Sequence, residues 1–239
     1  MTECPRCGKE YQRLGTHWNY NESHRPAFTE EQHEILTGLL MGDGTIYKKS
    51  PDHTPNFRVS LIVPEYLHWL DQTLGCLSTG VRLKSTAEQS CESCNLSDNE
   101  DASDYSDVYR MATRSHPELE RYQDWYITGA KVFPKDIRLT PTILTHWYIS
   151  DGSWNNNRIR IGMSNEINHR DKIEQMFDMI DLPVSRWDIL ERKDGSMRCC
   201  AVFNKETAEK MFNYMNSAPP GFEYKFPEQP EASRVDFGE

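Results

Sequence analysis

Long apolar runs are missing from this sequence of 239 residues, of which 37% are hydrophobic. No run approaches the roughly 18 consecutive apolar residues that a membrane helix requires, and no signal-peptide pattern precedes the first cysteine pair. The chain is long enough for one large domain or two small ones with an apolar core. We therefore predict a cytoplasmic protein with a polar surface.

Lysine is also scarce, with 11 Lys against 16 Arg and 37 acidic residues, and the net charge is −10. A negative protein is at first sight a poor partner for phosphates. The excess is local, however, because residues 84–107 account for −6 and residues 226–239 for −3. An acid-rich, Lys-poor composition suggests a halophilic source, while an ordinary acidic enzyme of small-molecule metabolism is the alternative.

The seven cysteines are odd in number, and two pairs have the spacing Cys-x-x-Cys. In a cytoplasmic protein this spacing favours metal or redox chemistry over disulfides. Cys4 and Cys7 are followed by His17 and His24, a set of four that suits structural Zn²⁺. The alternative is a disordered arm with incidental Cys and His. If zinc binds, we expect Arg6, Lys9 and Arg13 to face DNA.

The second pair, Cys91 and Cys94, has no paired ligands nearby in sequence. Cys76 and the adjacent Cys199 and Cys200 could meet it in space, but adjacent strand cysteines are usually plain core or edge residues. The sequence leaves open whether a second metal binds here.

An αββαββα order of elements occurs twice, which predicts an α+β protein with two-fold pseudo-symmetry within one chain. Thr29 begins the first helix with a capping-box pattern to Gln32, and Thr140 precedes a helix with Pro141 at its first position. The predicted organisation is a zinc-finger-like segment (1–27), a first repeat (28–134) with an acidic loop or insertion (85–107), a second repeat (135–227) and an acidic tail (228–239).

Each repeat places Asp-Gly at the end of its first, apolar helix, at Asp43-Gly44 and Asp151-Gly152. A carboxylate is disfavoured at the negative end of a helix dipole unless a cation binds. The small residues Gly38, Gly42 and Ser150 would let the two helices pack closely and bring the carboxylates together. The alternative, that each Asp-Gly is only a turn, does not explain their matching positions in both repeats.

These segments resemble the two motifs of single-chain LAGLIDADG homing endonucleases. ILTGLLMGDGTI is similar to the first motif and LTPTILTHWYISDGSW to the second, and the resemblance covers nearly everything from Thr29 to Pro227. It implies two repeats that form a DNA-binding saddle, and Mg²⁺-dependent hydrolysis that breaks both strands of a long DNA target. His146 departs from the small residue often found at its motif position.

The resemblance also implies roles for individual residues. Asp43 and Asp151 would bind the metal, helped by the backbone carbonyls of Gly42 and Ser150. Lys131 and Lys225, in the Lys-before-Pro segments that close the two repeats, would stand beside the scissile phosphates.

Basic residues alternate with apolar ones in the predicted strands, as expected for ribbons that lie in the DNA major groove. These candidate DNA-binding residues are Arg58, Arg82, Lys84, Arg110, Arg114, Arg158, Arg160, Arg186 and Arg198.

Two other functions remain open. One is an RNA-splicing maturase or transcription regulator on the same scaffold; the other is a zinc-ribbon regulator with an unrelated α+β ligand domain. For the endonuclease we expect double-stranded DNA as the partner, a monomer associated with the nucleoid, and an intron-encoded or free-standing gene rather than an excised intein.

Overall fold

The computed structural model describes residues 1–93, 105–126, 131–134, 136–192 and 195–227. Most of the predicted acidic insertion, including Cys94, and the predicted acidic tail lie outside these residues. No helix in the described part is long and apolar enough to cross a membrane.

The N-terminal segment is a small unit of β1 (Thr2–Glu3), β2 (Glu10–Tyr11) and α1 (Leu14–Tyr20). β1 and β2 pair antiparallel. Leu14 and Trp18 project from α1 into the main hydrophobic core. The segment therefore packs on the rest of the protein, as expected for a chain too short to bury a core of its own. The sequence analysis did not predict α1.

Each half of the remaining chain has the predicted order of elements. The first contains α2 (Glu30–Met41), β3 (Thr45–Tyr47), β4 (Asn56–Leu61), α3 (Pro64–Leu74), β5 (Ser78–Ser85), α4 (Ala87–Ser93), β6 (Val108–Thr113) and a 3₁₀ helix (Pro117–Tyr126). The second contains α5 (Pro141–Asp151), β7 (Gly152–Asn155), β8 (Arg158–Gly162), a 3₁₀ turn (Ser164–His169), α6 (Arg170–Asp178), β9 (Arg186–Glu191), β10 (Met197–Phe203) and α7 (Lys205–Tyr214).

The two sheets have the same topology, which is the structural evidence for a repeat. Both are antiparallel and four-stranded, with strand orders β3-β4-β6-β5 and β7-β8-β10-β9. In each sheet the first, second, fourth and third strands of the half are neighbours in that order. Fold class and element order are thus as predicted.

Two details differ from the expectation. Residues 85–107 were predicted to be a loop or insertion, but α4 begins there at Ala87, where the backbone N–H donates to Asp107 Oδ1 at 2.9 Å. Asp43 was predicted to lie in the last turn of its helix, but α2 ends at Met41 and Gly42 is its C-cap. Asp151, by contrast, is the last residue of α5.

The predicted helix starts are confirmed. Thr29 Oγ1 accepts from Gln32 N at 3.1 Å, and Gln32 Oε1 accepts from Thr29 N at 3.0 Å, so the capping box is complete. Thr140 Oγ1 accepts from Ile143 N at 3.2 Å, with Pro141 at the first helical position. Both helices therefore begin at residues set by local chemistry.

Helices α2 and α5 pack against each other at the centre of the molecule, and glycines make this approach possible. A Cβ at Gly38 would lie 2.4 Å from the Ile143 carbonyl oxygen and 2.7 Å from His146 Cβ. A Cβ at Gly42 would lie 2.3 Å from Ser150 Cβ. Any side chain at these positions would push the helices apart.

His146 fits this interface despite its size. Its ring stacks on Trp69, with ring centroids 5.6 Å apart, and its Nδ1 lies 2.7 Å from the Tyr66 hydroxyl. Burial lowers the pKa of His146 to about 3, so the ring is neutral at physiological pH. The ring points away from the closest contact, where only its Cβ meets Gly38.

We predict that Gly38→Ala lowers the free energy of unfolding by about 1–3 kcal/mol through overpacking, although Ala has the higher helix propensity. Gly15→Ala in α1 is the matched control, because no atom lies within 4 Å of the added Cβ. Urea unfolding of both variants checks this. A Gly38→Ala protein as stable as the wild type would show that the interface tolerates a wider separation.

Candidate active site

The two motif aspartates meet where α2 and α5 end. A Cβ at Gly42 would lie 3.3 Å from Asp151 Oδ2, so the Asp151 carboxylate touches the end of the first motif. Asp43 is exposed and Asp151 is half-buried. The structure thus brings the carboxylates of the two repeats together, as the small interface residues predicted.

Each predicted lysine binds the carbonyls at the end of the motif helix in its own repeat. Lys131 Nζ donates to the carbonyls of Gly42 and Gly44. Lys225 Nζ donates to those of Ile149, at 2.7 Å, and Gly152, at 2.9 Å. An ammonium has three donors, so one N–H of each lysine is left over from these contacts.

The four charged groups influence each other strongly. Burial and the charge of Asp43 raise the pKa of Asp151 to about 7, against the opposing effect of both lysines. Burial raises the pKa of Asp43 as well, although Lys131 and Lys225 oppose the shift. Burial lowers the pKa of both lysines, which the aspartates counteract. The site holds acids that ionise reluctantly beside ammonium groups that are less basic than usual, an arrangement typical of functional sites.

A cavity of about 480 Å³ opens beside this cluster. Lys131, Ser150 and Asp151 line one side. Arg192, Arg198 and the buried Glu166 line the other. The Ser150 hydroxyl donates to the His146 carbonyl at 3.1 Å, within its own helix. The sequence analysis identified neither Glu166 nor Arg192, because no motif contains them.

The predicted basic residues of the first sheet share one face. Arg82 pairs with Arg110, Arg110 with Ser60, and Arg58 with Ala112, so the three arginines lie on the same, outer face. Lys84 is exposed at a register shift of β5. The Arg58 guanidinium lies 3.4 Å from the centroid of the Tyr47 ring. This cation–π contact holds Arg58 in a defined orientation.

Arg114 is the exception. It follows β6, and its guanidinium donates to the Cys76 carbonyl at 2.9 Å and to Thr2 Oγ1 at 3.2 Å. The structure therefore uses Arg114 to attach the N-terminal segment to the first sheet.

In the second sheet the predicted arginines also share an outer face. Arg160 and Arg186 both pair with Val202 from opposite sides, Arg198 pairs with Leu190, and Arg158 is on the same face as Arg160. Asp188, which the sequence analysis missed, accepts from Arg160 and, at 2.9 Å, from Arg186 Nε. Its position two residues after Arg186 in a strand was the available signal, since such residues share a face.

The N-terminal Cys and His residues come together as predicted. The ligand atoms of Cys4, Cys7, His17 and His24 all lie within 4.8 Å of one another. Cys7 Sγ is 3.8 Å from His17 Nε2, which is 3.1 Å from His24 Nδ1. Burial alone would raise the pKa of Cys4, but hydrogen bonds from the backbone of Cys7 and Arg6 outweigh it and lower the pKa. These bonds favour the thiolate, the form that binds metal.

No other set of this kind forms among the residues described. Cys91 is half-buried on α4, and its predicted partner Cys94 lies outside the described residues. Cys199 is buried in β10, as expected for a core residue, and Cys200 is nearly so.

Adjoining acidic helix ends between two sheets of identical topology define a two-repeat α+β protein. The sequence model of the LAGLIDADG DNA endonuclease family matches residues 33–181, and the chain belongs to this family. This membership overturns the alternative of a zinc-ribbon regulator with an unrelated ligand domain. No curated protein matches the chain at a significant level.

Among solved structures, the homing endonuclease I-WcaI bound to its DNA recognition sequence has a TM-score of 0.69 at 13% identity, over 93% of this chain and 96% of that one. I-DmoI in complex with DNA and Mn has a TM-score of 0.43 at 15% identity, over 79% and 97%. I-SmaMI bound to uncleavable DNA has a TM-score of 0.44 at 10% identity, over 79% and 82%. The first of these shows that the fold is shared along nearly the whole length of both chains.

The pKa of Asp151 makes a prediction about stability in Mg²⁺-free buffer. Because the folded protein keeps the Asp151 proton up to about pH 7, while an unfolded Asp loses it near pH 3.9, the folded state binds more protons in this window. The free energy of unfolding contributed by Asp151 should therefore fall as pH rises from about 4 to about 7.

Wild type minus Asp151→Asn isolates this contribution, because the opposite effect of the buried His146 is the same in both proteins. Urea unfolding at several pH values measures it. Parallel stability profiles for the two proteins would show that Asp151 ionises normally.

Proposed function

We propose that the protein is a site-specific homing endonuclease that makes a double-strand break in a long DNA target by Mg²⁺-dependent phosphodiester hydrolysis. The observation that carries the proposal is the pair of Asp–Lys sites where α2 and α5 end. Cutting two strands requires two sets of chemical groups close together, and the packing of the two helices supplies one set from each repeat.

The donor set fits a hard divalent cation. Asp43 and Asp151 offer carboxylate oxygens, and the carbonyls of Gly42 and Ser150 are further oxygen ligands at the same helix ends. The high pKa of Asp151 shows that a second negative charge is unfavourable here without a cation. When bound, Mg²⁺ supplies Lewis-acid activation of phosphate and water.

The lysines act as groups of the chain itself. Lys131 and Lys225 are each fixed through two carbonyls, so their ammonium groups are already oriented before DNA binds. The remaining N–H of each can donate to a phosphate oxygen or to the attacking water. Preorganised donors of this kind stabilise the charge that develops in the transition state.

The outer faces of the two sheets are proposed as the DNA-binding saddle. Arg58, Arg82, Lys84 and Arg110 would contact one half of the target, and Arg158, Arg160, Arg186 and Arg198 the other. Asp188 holds Arg160 and Arg186 together, which limits the geometries in which they can meet base edges. Bidentate contacts from arginine to guanine are the commonest specific contact of this type.

A maturase or transcription regulator on the same scaffold is the second candidate function. It needs DNA or RNA binding but not the catalytic groups, whereas both aspartates and both lysines are present and converge. We therefore favour cleavage.

We predict that Asp43→Asn or Asp151→Asn abolishes double-strand cleavage but leaves specific DNA binding largely intact, because each carboxylate serves the metal rather than the core. The substrate is a plasmid carrying the DNA that flanks the reading frame, joined without it. Cleavage is measured with Mg²⁺ and affinity by gel shift with Ca²⁺.

Asp178→Asn, at the end of α6 and away from the cluster, is the control and should cut like the wild type. If either motif variant breaks both strands at the wild-type rate, the assignment of the carboxylates is wrong.

We further propose that Cys4, Cys7, His17 and His24 bind one structural Zn²⁺. Ligand atoms of a tetrahedral Zn²⁺ site are separated by roughly 3.3–3.8 Å, given the usual bond lengths. Separations of 3.1 and 3.8 Å in this cluster are close to that range. Arg6, Lys9 and Arg13 are exposed on the same segment and would add contacts to DNA.

Elemental analysis should find one Zn²⁺ per chain in the wild type and none in Cys4→Ser/Cys7→Ser, because two ligands cannot hold the ion tightly. The double variant should still cut DNA, with weaker affinity, since the segment supplies no catalytic group. Cys199→Ser is the control and should keep its zinc. Zinc retained in the double variant would place the site elsewhere, with Cys91 and Cys94 the first candidates.

We also propose a monomer, divided as the sequence analysis predicts, that acts on the nucleoid and is encoded within an intron or as a free-standing gene. The acidic, Lys-poor composition supports a halophilic source. A melting temperature that does not rise with KCl would contradict that last inference.

A further inference from the structure

The segment that carries Lys131 is held by both repeats. Its backbone alternates between them, since Val132 N donates to the Trp125 carbonyl of the first repeat at 2.8 Å and Phe133 N donates to Glu166 Oε1 of the second at 3.2 Å. The lysine side chain itself binds the first motif. Lys131 is therefore the point at which a group of one repeat depends on a carboxylate of the other.

Glu166 is well placed to hold this segment. It belongs to the 3₁₀ turn that follows β8, and only 2% of it is exposed. It lines the same cavity as Lys131 and Asp151. A buried carboxylate is costly unless it accepts good hydrogen bonds, and the backbone N–H of Phe133 provides one. Phe133 is also buried and packs edge-on against Trp147 of α5, with ring centroids 5.4 Å apart.

Lys225 is held in a different way. Its carbonyl accepts from the Tyr148 hydroxyl at 2.6 Å, a contact within the second repeat. Phe226, which precedes proline as Phe133 does, donates its N–H to the nearby Glu223 carbonyl at 3.0 Å. Thus the two lysines occupy equivalent positions, but only the contacts of Lys131 include a carboxylate from the opposite repeat.

We propose that Glu166 is a positioning residue for Lys131, which it reaches through the backbone of Phe133, and that it controls cleavage of one DNA strand selectively. This inference rests on the proposed endonuclease function. Without the Glu166 acceptor, the Lys131 segment would lose its anchor on the second repeat, while the contacts of Lys225 would be unchanged. Small displacements of catalytic groups cost large factors in rate.

The test uses a target duplex that the wild type cuts, with a different label on each strand. Lys131→Met identifies the strand that depends on Lys131, and Lys225→Met identifies the other. Glu166→Leu should slow the Lys131 strand by about ten- to a hundredfold and accumulate nicked DNA. Glu166→Gln keeps an acceptor oxygen and should restore most of that rate.

Two further variants keep the test decisive. If Glu166→Leu does not fold, Glu166→Asp withdraws the carboxylate by one methylene and should show the same strand bias. Tyr148→Phe is the matched control, because it removes the corresponding buried hydrogen bond beside Lys225. Any slowing in that variant should fall on the Lys225 strand.

Equal slowing of both strands in the Glu166 variants, or a bias towards the Lys225 strand, would overturn the proposal. So would a Gln variant as slow as the Leu variant. Affinity measured with Ca²⁺ should stay at the wild-type level, because Glu166 is buried. A wild-type protein that cuts neither strand would refute the endonuclease proposal itself, and the role of Glu166 would fall with it.

Discussion

The close contact of α2 with α5 is the interaction on which the rest of the structure depends. Gly38 meets Ile143 and His146, and Gly42 meets Ser150, at separations that leave no room for a side chain. This packing buries apolar residues of both helices in one core. It also determines how far apart the two Asp-Gly ends lie, so one packing constraint governs both the fold and the geometry of the candidate active site.

The electrostatics of the site follow from that packing. Two aspartates at adjoining helix ends would repel each other, and each also faces the negative end of a helix dipole. The lysines reduce the repulsion, yet burial still raises the pKa of Asp151 to about 7. The lysines meanwhile satisfy backbone carbonyls that the helix ends leave without partners. The same ammonium groups therefore terminate the helices and neutralise the acids.

The charge of the whole protein is a poor guide to its surface. Its net charge of −10 would suggest that DNA is repelled. The antiparallel register, however, gathers arginines from non-adjacent parts of the chain onto the outer faces of the two sheets. Asp188 is an acid within such a face, but it binds two arginines and so organises the positive charge around it.

The sequence by itself determined the elements that depend on neighbouring residues. The capping box of Thr29, the proline start of α5 and the alternation in β4 and β8 are local patterns, so their structures could be predicted. The duplicated Asp-Gly ends predicted two symmetrical sites, because a repeat implies equivalent positions. The Cys and His spacing likewise predicted which four side chains gather in the N-terminal segment.

Only the tertiary structure decided contacts between residues far apart in the chain. Nothing in the spacing of Arg114 indicated that it would bind Thr2 and Cys76 rather than remain free on its sheet. Nor could a pattern show that Glu166 accepts from Phe133, since the two belong to different repeats and neither occurs in a motif. Such contacts depend on how the two repeats pack against each other, which is set by the shapes of many side chains together rather than by any local stretch of sequence.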